Sequence, residues 1–158
     1  MSLFQHLHEL CVEKDISIST AESCTAGLLA SRITSASGAS FFFKGGIISY
    51  QNEAKINLLD VSRSIIDEKT EVSSEVAEMM AFAARNKFGA DFSIATSGYA
   101  GPNGGSKINP IGTVFIAISS KNKTNSYRFI FSGDRESIVN QSVLKSVELL
   151  IGEIKKHP

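Results

Sequence analysis

The most constraining feature of this sequence is a junction between a predicted strand and a predicted helix near the N-terminus. Isoleucines and serines alternate from residue 16, which predicts a strand over residues 16–20. Leucines, an isoleucine and several alanines follow at helical spacing, which predicts a helix over residues 24–36. A strand that runs directly into a helix favours a fold in which helices pack on a sheet.

Ser23, Cys24 and Thr25 lie at this junction, where a hydroxyl, a thiol and free backbone N–H groups meet. The first N–H groups of a helix have no partner inside the helix, and the helix dipole favours negative charge there. The junction is therefore suited to holding a phosphate or to attacking a carbonyl. It is also typical of an ordinary N-cap, and this stretch taken alone favours the cap.

The rest of the chain continues with helices and strands of ordinary length. Helices are predicted over residues 3–14, 53–59, a short segment within 61–70, 72–88 and from 134 onward, and strands over residues 47–50, 91–97, 112–119 and 126–131. The strand over residues 112–119 is almost entirely apolar, as expected for a central strand, and it forms a hairpin with the next one. We predict a three-layer α/β/α fold with a mixed central sheet flanked by helices, in a single domain over residues 1–158.

Charge and composition exclude several classes of partner. The 158 residues include 16 basic and 16 acidic ones, so no net charge attracts nucleic acid or an anionic membrane. No apolar run approaches the roughly 18 residues needed to span a bilayer. The amphipathic N-terminus is not a signal peptide, and two cysteines indicate a reducing, cytoplasmic setting. The histidines have no metal-ligand spacing, so we expect no metal and no cofactor.

A glycine-rich segment follows the predicted strand over residues 91–97. Residues 98–107 contain four glycines and one proline. Glycine lets backbone N–H groups approach an oxyanion closely, so phosphate binding is one interpretation. A long turn is the other, and the segment alone does not decide between them.

Lys55 falls in the first turn of the helix predicted over residues 53–59. The positive end of the helix dipole disfavours an ammonium there, and burial would lower the pKa of the lysine further. A lysine that is partly neutral can act as a general base for a serine hydroxyl. A solvated surface lysine is the alternative, and position alone favours it.

Taken together, these segments resemble the CinA C-terminal domain family over nearly the whole chain. The matching blocks are A-E-S-C-T-A-G at residues 21–27, F-K-G-G-I-I-S-Y at 43–50, N-E-A-K at 52–55, V-S at 72–73, S-G-Y-A-G-P-N-G-G at 97–105, P-I-G-T-V at 110–114 and G-D-R at 133–135. The resemblance implies a stand-alone amidase of pyridine nucleotide salvage, without the additional N-terminal domain of the larger family members. Its reaction would convert nicotinamide mononucleotide and water into nicotinic acid mononucleotide and ammonia.

The resemblance also implies roles for individual residues. Ser23 would be the nucleophile, Lys55 its base and Tyr50 a nearby support. The residues implied to bind the phosphate and ribose, or to form an oxyanion hole, are Cys24, Thr25, Ala26, Gly27, Gly46, Ser97, Gly98, Gly101, Gly104, Gly105 and Arg135. The resemblance implies a metal-free reaction on a small-molecule nucleotide and a homo-oligomer.

Some positions and one function leave alternatives open. Tyr99 stands where the family usually has an aliphatic residue, and Val139 and Asn140 replace an arginine common after G-D-R. Cys24 is adjacent to Ser23, and thiols also serve as amidase nucleophiles, although we favour Ser23. The alternative function is a non-catalytic nucleotide-binding accessory or sensor module. Such a module would not need the Ser23–Lys55 pair, so the pair favours an enzyme.

Overall fold

The computed structural model describes residues 1–157, which form six α-helices, five strands and one turn of 3₁₀ helix. In chain order these are α1 (Leu3–Lys14), β1 (Ile18–Glu22), α2 (Leu28–Ile33), the 3₁₀ turn Ala39–Phe41, β2 (Phe43–Ile48), α3 (Asn52–Leu59), α4 (Arg63–Lys69), α5 (Ser74–Phe88), β3 (Phe92–Gly98), β4 (Thr113–Ser119), β5 (Thr124–Ile130) and α6 (Arg135–Lys155).

The five strands form one mixed sheet in the order β2-β1-β3-β4-β5. β1 pairs in parallel with both β2 and β3. β3 then pairs antiparallel with β4, and β4 antiparallel with β5. Every residue of β4 is buried, so the prediction of an apolar inner strand that forms a hairpin with the next one is confirmed.

Helices cover both faces of the sheet and bury two separate cores. On one face, α1, α2 and α6 pack against the sheet through side chains such as Leu7, Leu29 and Val147. On the other face, α3, α4 and α5 pack through side chains such as Leu59 and Met80. The three-layer α/β/α prediction is therefore confirmed.

The strands differ from their predicted ranges by one to four residues at their ends, and the first two strands show why. The first strand begins at Ile18 rather than residue 16, because Ser17 is held outside the sheet, where its N–H donates to the Asp91 carboxylate at 2.8 Å. The second strand spans Phe43–Ile48 rather than residues 47–50. It includes the glycine pair because the pairing with β1 shifts register there, which is a bulge that glycine accommodates.

The topology brings three chain segments to one edge of the sheet. Since β1, β2 and β3 are parallel, their carboxyl ends lie side by side. Ser23, Ser49 and Tyr99 are the first residues after these three strands. This edge is where ligands bind in open α/β sheets.

Candidate active site

A cavity opens at this carboxyl edge of the sheet. It is lined by Ser23, Cys24, Tyr50, Asn52, Lys55, Glu71, Val72, Ser97, Gly98, Tyr99, Ala100, Gly101, Asn103 and Arg135. Most of these residues follow β1, β2 or β3, or lie in the first turns of α3 and α6. The cavity therefore brings together the strand–helix junction, the glycine-rich segment and the G-D-R block.

Lys55 and Ser23 are hydrogen-bonded at the base of this cavity. The Lys55 Nζ lies 2.9 Å from Ser23 Oγ, 3.0 Å from the Ser49 carbonyl oxygen and 3.1 Å from the Tyr50 carbonyl oxygen. The two carbonyls can accept the two N–H groups of a neutral amine. Its lone pair is then directed at the hydroxyl of Ser23, which is the geometry of a serine activated by a lysine.

Burial makes the neutral form of Lys55 accessible. The residue is only 1% exposed, and no carboxylate lies within 4.0 Å of its Nζ among residues 1–157. Burial lowers the pKa of Lys55 below its ordinary value, and the nearby charge of Glu71 acts in the opposite direction.

The local sequence explains why a lysine is buried here. Lys55 and Leu59 are the buried residues of α3, and they lie four positions apart, so they share one helix face. Leu59 packs into the core between the sheet and α5, and this contact directs Lys55 toward Ser23. The helix begins at Asn52, one residue before its predicted start, and Gln51 is its N-cap.

Cys24 also lines the cavity, but its thiol belongs to the hydrophobic core. The residue is 8% exposed and packs with the side chains of α1, α2 and α6. Burial raises the pKa of the Cys24 thiol to about 12. Because the thiolate is the nucleophilic form of cysteine, this environment favours Ser23 as the attacking group.

The helix after β1 begins later than predicted, and its free N–H groups are already engaged. The helix starts at Leu28, not at residue 24, because Ala26 and Gly27 adopt left-handed backbone angles with φ of 46° and 96°. The buried Glu22 carboxylate accepts hydrogen bonds from the N–H groups of Gly27, Leu29 and Ala30 at 2.9–3.2 Å. It therefore occupies the position that a substrate phosphate would need.

Three predicted binding residues of this turn consequently lie outside the cavity. Thr25 donates to Glu22 at 2.6 Å and is within 2.8 Å of the Thr96 hydroxyl, so its side chain is used inside the protein. Ala26 and Gly27 form the turn itself. The helix predicted over residues 24–36 was wrong at both ends, since it also ends at Ile33.

Three of the residues that the resemblance implied for binding lie at or just after the end of β3 and line the cavity. Ser97 donates its hydroxyl to the Glu71 carbonyl at 2.6 Å, which joins β3 to the segment before α5. At Gly98 a Cβ atom would lie 2.6 Å from the Thr113 carbonyl oxygen, so the position requires glycine. Gly101 presents its carbonyl to Arg135 at the cavity rim.

The other predicted glycines lie outside the cavity. Gly104 packs against the ring of Tyr99, and Gly105 lies against Ile111; both glycines line a shallow surface depression instead. Gly46 is an exposed residue of β2, where a Cβ atom would overlap the Thr20 hydroxyl. These glycines shape the loop and the sheet and are not among the residues that line the cavity.

Tyr50 and Arg135 form the rim. Arg135 Nη2 donates to the Tyr50 hydroxyl and Nη1 to the Gly101 carbonyl, each at 2.7 Å. Tyr50 is 53% exposed, and its closest link to the buried lysine is its backbone carbonyl. Val139 packs against the core from α6, so the residue that replaces the family's arginine does not reach the cavity.

The cavity also includes residues that no sequence pattern marked for the site: Asn52, Glu71, Val72, Ala100 and Asn103. Ala100 and Asn103 belong to the glycine-rich segment, and Asn52 lies directly before the helix predicted over residues 53–59. Glu71 precedes the V-S block, and no periodicity or charge pattern marks it. Its position follows from the Ser97–Glu71 hydrogen bond, which links residues far apart in the sequence.

This arrangement defines an α/β protein with a small-molecule pocket and a serine–lysine pair at the carboxyl edge of its parallel strands. The family model of the CinA C-terminal domain matches residues 1–154. The chain belongs to the CinA C-terminal domain family.

Similar proteins agree with this assignment. A CinA-like protein of Flavobacterium psychrophilum is 45% identical over 151 residues, which are 96% of this chain and 36% of that protein. A putative competence-damage inducible protein of Caldicellulosiruptor saccharolyticus is 41% identical over 90% of this chain and 34% of that protein. The chain thus spans about a third of the length of these curated relatives.

Solved structures match over most of their length. The competence damage-inducible protein A of Klebsiella pneumoniae aligns with a TM-score of 0.95 at 31% identity, over 99% of this chain and 97% of that one. A CinA superfamily protein of Escherichia coli aligns with a TM-score of 0.91 at 34% identity, over 94% of this chain and 87% of that one. No helix within residues 1–157 is both long enough and apolar enough to cross a membrane.

Proposed function

We propose that the protein hydrolyses the carboxamide of nicotinamide mononucleotide to give nicotinic acid mononucleotide and ammonia. The observation that carries this proposal is the 2.9 Å contact between Lys55 Nζ and Ser23 Oγ inside the cavity. An amide requires a nucleophile, a base that later protonates the departing ammonia, and donors for the oxyanion. The cavity has side chains and backbone groups for each of these tasks.

In the first half-reaction, neutral Lys55 accepts the hydroxyl proton of Ser23 while Ser23 Oγ bonds to the amide carbon. The resulting tetrahedral intermediate carries a negative oxygen. Lys55 then returns the proton to the amide nitrogen, the C–N bond breaks, and ammonia leaves an acyl-serine ester. In the second half, Lys55 takes a proton from water, the hydroxide attacks the ester, and Ser23 regains its proton as the carboxylic acid departs.

Backbone N–H groups around the cavity can stabilise the negative oxygen. Among residues 1–157, no carbonyl, carboxylate or hydroxyl oxygen accepts a hydrogen bond from the N–H groups of Cys24, Ala100 and Gly101, and all three residues line the cavity. Cys24 directly follows the nucleophile. Donors that are fixed before the reaction lower the free energy of the charged intermediate without reorganising.

Arg135 is suited to the phosphate of the nucleotide. Its guanidinium is exposed at the rim, where two of its N–H groups are held by Tyr50 and Gly101 and the others are available. Guanidinium groups match phosphate oxygens in charge and geometry. Binding at the rim would leave the ring amide directed toward Ser23.

The test is ammonia release by the purified protein from nicotinamide mononucleotide, with the acid product identified by mass. Release that disappears in Ser23→Ala would sustain the proposal. Tight binding of the nucleotide without any ammonia would instead identify a non-catalytic accessory or sensor module.

A further inference from the structure

Glu71 is a charged cavity residue that the proposed mechanism does not use. Its backbone is fixed, because its carbonyl accepts the Ser97 hydroxyl at 2.6 Å and the next carbonyl, that of Val72, accepts from Asn109 at 3.3 Å. Its half-buried side chain lines the same cavity as Ser23 and Lys55. Within residues 1–157 its carboxylate has no hydrogen-bond or ion-pair partner, so its charge is available to a ligand.

Tyr99 lines the same cavity beside Glu71. Its half-buried ring is held in place by Gly104, where a Cβ atom would lie 3.3 Å from a ring carbon. Burial raises the pKa of the Tyr99 hydroxyl, and the Glu71 charge raises it further. The carboxylate and the aromatic ring are therefore near enough to act on one ligand.

A free carboxylate at this position reduces the fraction of Lys55 that is neutral and able to act as a base. Burial lowers the pKa of Lys55, but the negative charge of Glu71 opposes that shift and favours the ammonium. A positive charge on the ligand would cancel this effect. The cavity would then have its base more fully neutral when such a ligand is bound than when it is empty.

We propose that Glu71, together with the face of Tyr99, makes the site selective for amides carried on a positively charged heteroaromatic ring. This inference rests on the proposed function, because the ring of nicotinamide mononucleotide is a pyridinium. A carboxylate attracts this charge directly, and an aromatic ring attracts it through its negative face. The substrate class is thus a cationic ring amide with a phosphate that Arg135 binds, rather than amides in general.

The experiment compares two probes that differ in ring charge. Nicotinamide mononucleotide has a cationic ring, and its reduced 1,4-dihydro form has a neutral ring with the same amide, ribose and phosphate. Dissociation constants are measured by calorimetry in a Ser23→Ala background, so that no turnover interferes. Glu71→Gln, which keeps the shape of the side chain, should weaken binding of the oxidised nucleotide about tenfold and leave binding of the reduced one unchanged.

Glu75→Gln is the matched control. Glu75 lies four positions further along and accepts a hydrogen bond from Ser74, and it is not a cavity residue. It should alter neither dissociation constant. Equal weakening of both probes by Glu71→Gln, or no weakening of either, would overturn the inference.

A second measurement uses the pH dependence of turnover and separates the inference from the proposed function. The profile of kcat reports the bound enzyme, and that of kcat/KM reports the free enzyme. In the wild type the rise of kcat should occur at lower pH than the rise of kcat/KM, because the bound pyridinium neutralises the effect of Glu71 on Lys55. In Glu71→Gln the rise of kcat/KM should move to lower pH, because the ammonium of Lys55 loses a negative charge that favours it. A rise of kcat/KM that stays at the wild-type pH would contradict the inference. If the wild type releases no ammonia, the proposed function fails, and the binding comparison still decides the role of Glu71.

Discussion

Ser23 and Lys55 lie on different elements, and each is held by backbone contacts that do not involve the other. The N–H of Ser23 donates to the Thr96 carbonyl at 3.0 Å, which fixes the residue at the end of β1. Lys55 is fixed by the carbonyls of Ser49 and Tyr50. Because each residue keeps its position when the other is replaced, their roles can be tested one at a time.

Ser23→Ala should lower kcat by roughly a thousandfold or more and leave the dissociation constant of the nucleotide nearly unchanged, as expected when an attacking group is removed. Cys24→Ser is the matched control beside it. It should keep substantial activity, because burial holds the pKa of the Cys24 thiol at about 12 and the thiol does not ionise. Steady-state kinetics and calorimetry measure both effects, and a reversed outcome would make Cys24 the nucleophile.

Lys55→Arg should lower kcat by roughly a hundredfold or more, because a guanidinium remains protonated and cannot accept the Ser23 proton. In the wild type, activity should rise with pH along one ionisation and then become constant. Since burial lowers the pKa of Lys55, that plateau should begin at lower pH than an ordinary lysine would give. An arginine variant with nearly normal kcat across this range would show that Lys55 is not the base.

The residue-level predictions came from the resemblance rather than from periodicity. Lys55 alone is typical of a surface lysine, and only its place beside A-E-S-C-T-A-G in a family pattern marked it. Glu71 was missed because its location depends on contacts between distant segments, which a single sequence does not reveal. Gly46 and Gly104 were predicted to bind the ligand, but a glycine in a motif can equally be required by local packing. Here a Cβ atom would meet Thr20 at Gly46 and the Tyr99 ring at Gly104.

At the level of elements, the junction after β1 depends on Glu22. This carboxylate is 1% exposed and accepts from three N–H groups at the start of α2 and from the Thr25 hydroxyl. In Glu22→Gln the side-chain NH₂ group would face backbone N–H groups and could not accept their hydrogen bonds. The substitution would also remove the negative charge. We expect the free energy of unfolding to fall by about 2 kcal/mol and Tm by about 4–8 °C.

Glu136→Gln serves as the control for this stability measurement. Glu136 is also an acidic residue in the first turn of a helix, but it is exposed on α6 and no hydrogen bond involves its side chain within residues 1–157. Its replacement should change Tm by about 1 °C or less. Equal effects of the two substitutions in thermal unfolding would mean that the buried cap contributes nothing specific.

Gly46→Ala tests whether this glycine is required for packing in the sheet or for binding of the substrate. The added Cβ would overlap the Thr20 hydroxyl between β2 and β1, so we expect the free energy of unfolding to fall by about 1–3 kcal/mol. KM should stay unchanged, because Gly46 lies outside the cavity. A raised KM with an unchanged free energy of unfolding would mean that Gly46 contributes to substrate binding.

Gly152→Ala is the matched control for Gly46→Ala. Gly152 lies inside α6, and a Cβ there would have no neighbour within 4 Å. Alanine has a higher helix propensity than glycine, so this change should stabilise the protein by about 0.5–1 kcal/mol. Denaturant unfolding of the two variants should therefore give shifts of opposite sign.

Element types were predicted well, whereas the junctions between elements were not. The apolar run of β4 and the presence of helices α1, α5 and α6 follow directly from periodicity, and the structure confirms them. The predicted start of the helix at residue 24 failed because Glu22 caps it from the preceding strand. A glutamate at a strand end is not a recognised helix signal, since capping rules concern the residues next to the helix.

For the molecule as a whole, we expect activity without added metal. Within residues 1–157 no three His, Cys, Asp or Glu side chains are grouped so that they could hold a metal ion, and the serine–lysine pair requires none. Ammonia release should be the same before and after treatment with EDTA. Activity that is lost in EDTA and restored by zinc would contradict this mechanism.

Three predictions about the whole molecule remain predictions. They are a single domain over residues 1–158, a homo-oligomer and a cytoplasmic location. The α/β/α architecture could be predicted because helices and strands alternate along the chain. The order of the strands in the sheet was not predicted and is known only from the structure. Assembly depends on surface complementarity, which has no simple pattern in one sequence.

The position of β1 between β2 and β3 also affects when the protein can become functional during folding. β2 follows β1 closely in the chain, but Ile18 also pairs with Phe92, and that strand is far away in sequence. Closing so long a loop is slow, because its entropy cost comes before the contacts that compensate it. A partly synthesised chain that already contains Ser23 and Lys55 still lacks β3 and the turn after it, so the cavity around these two residues is completed late, together with the sheet.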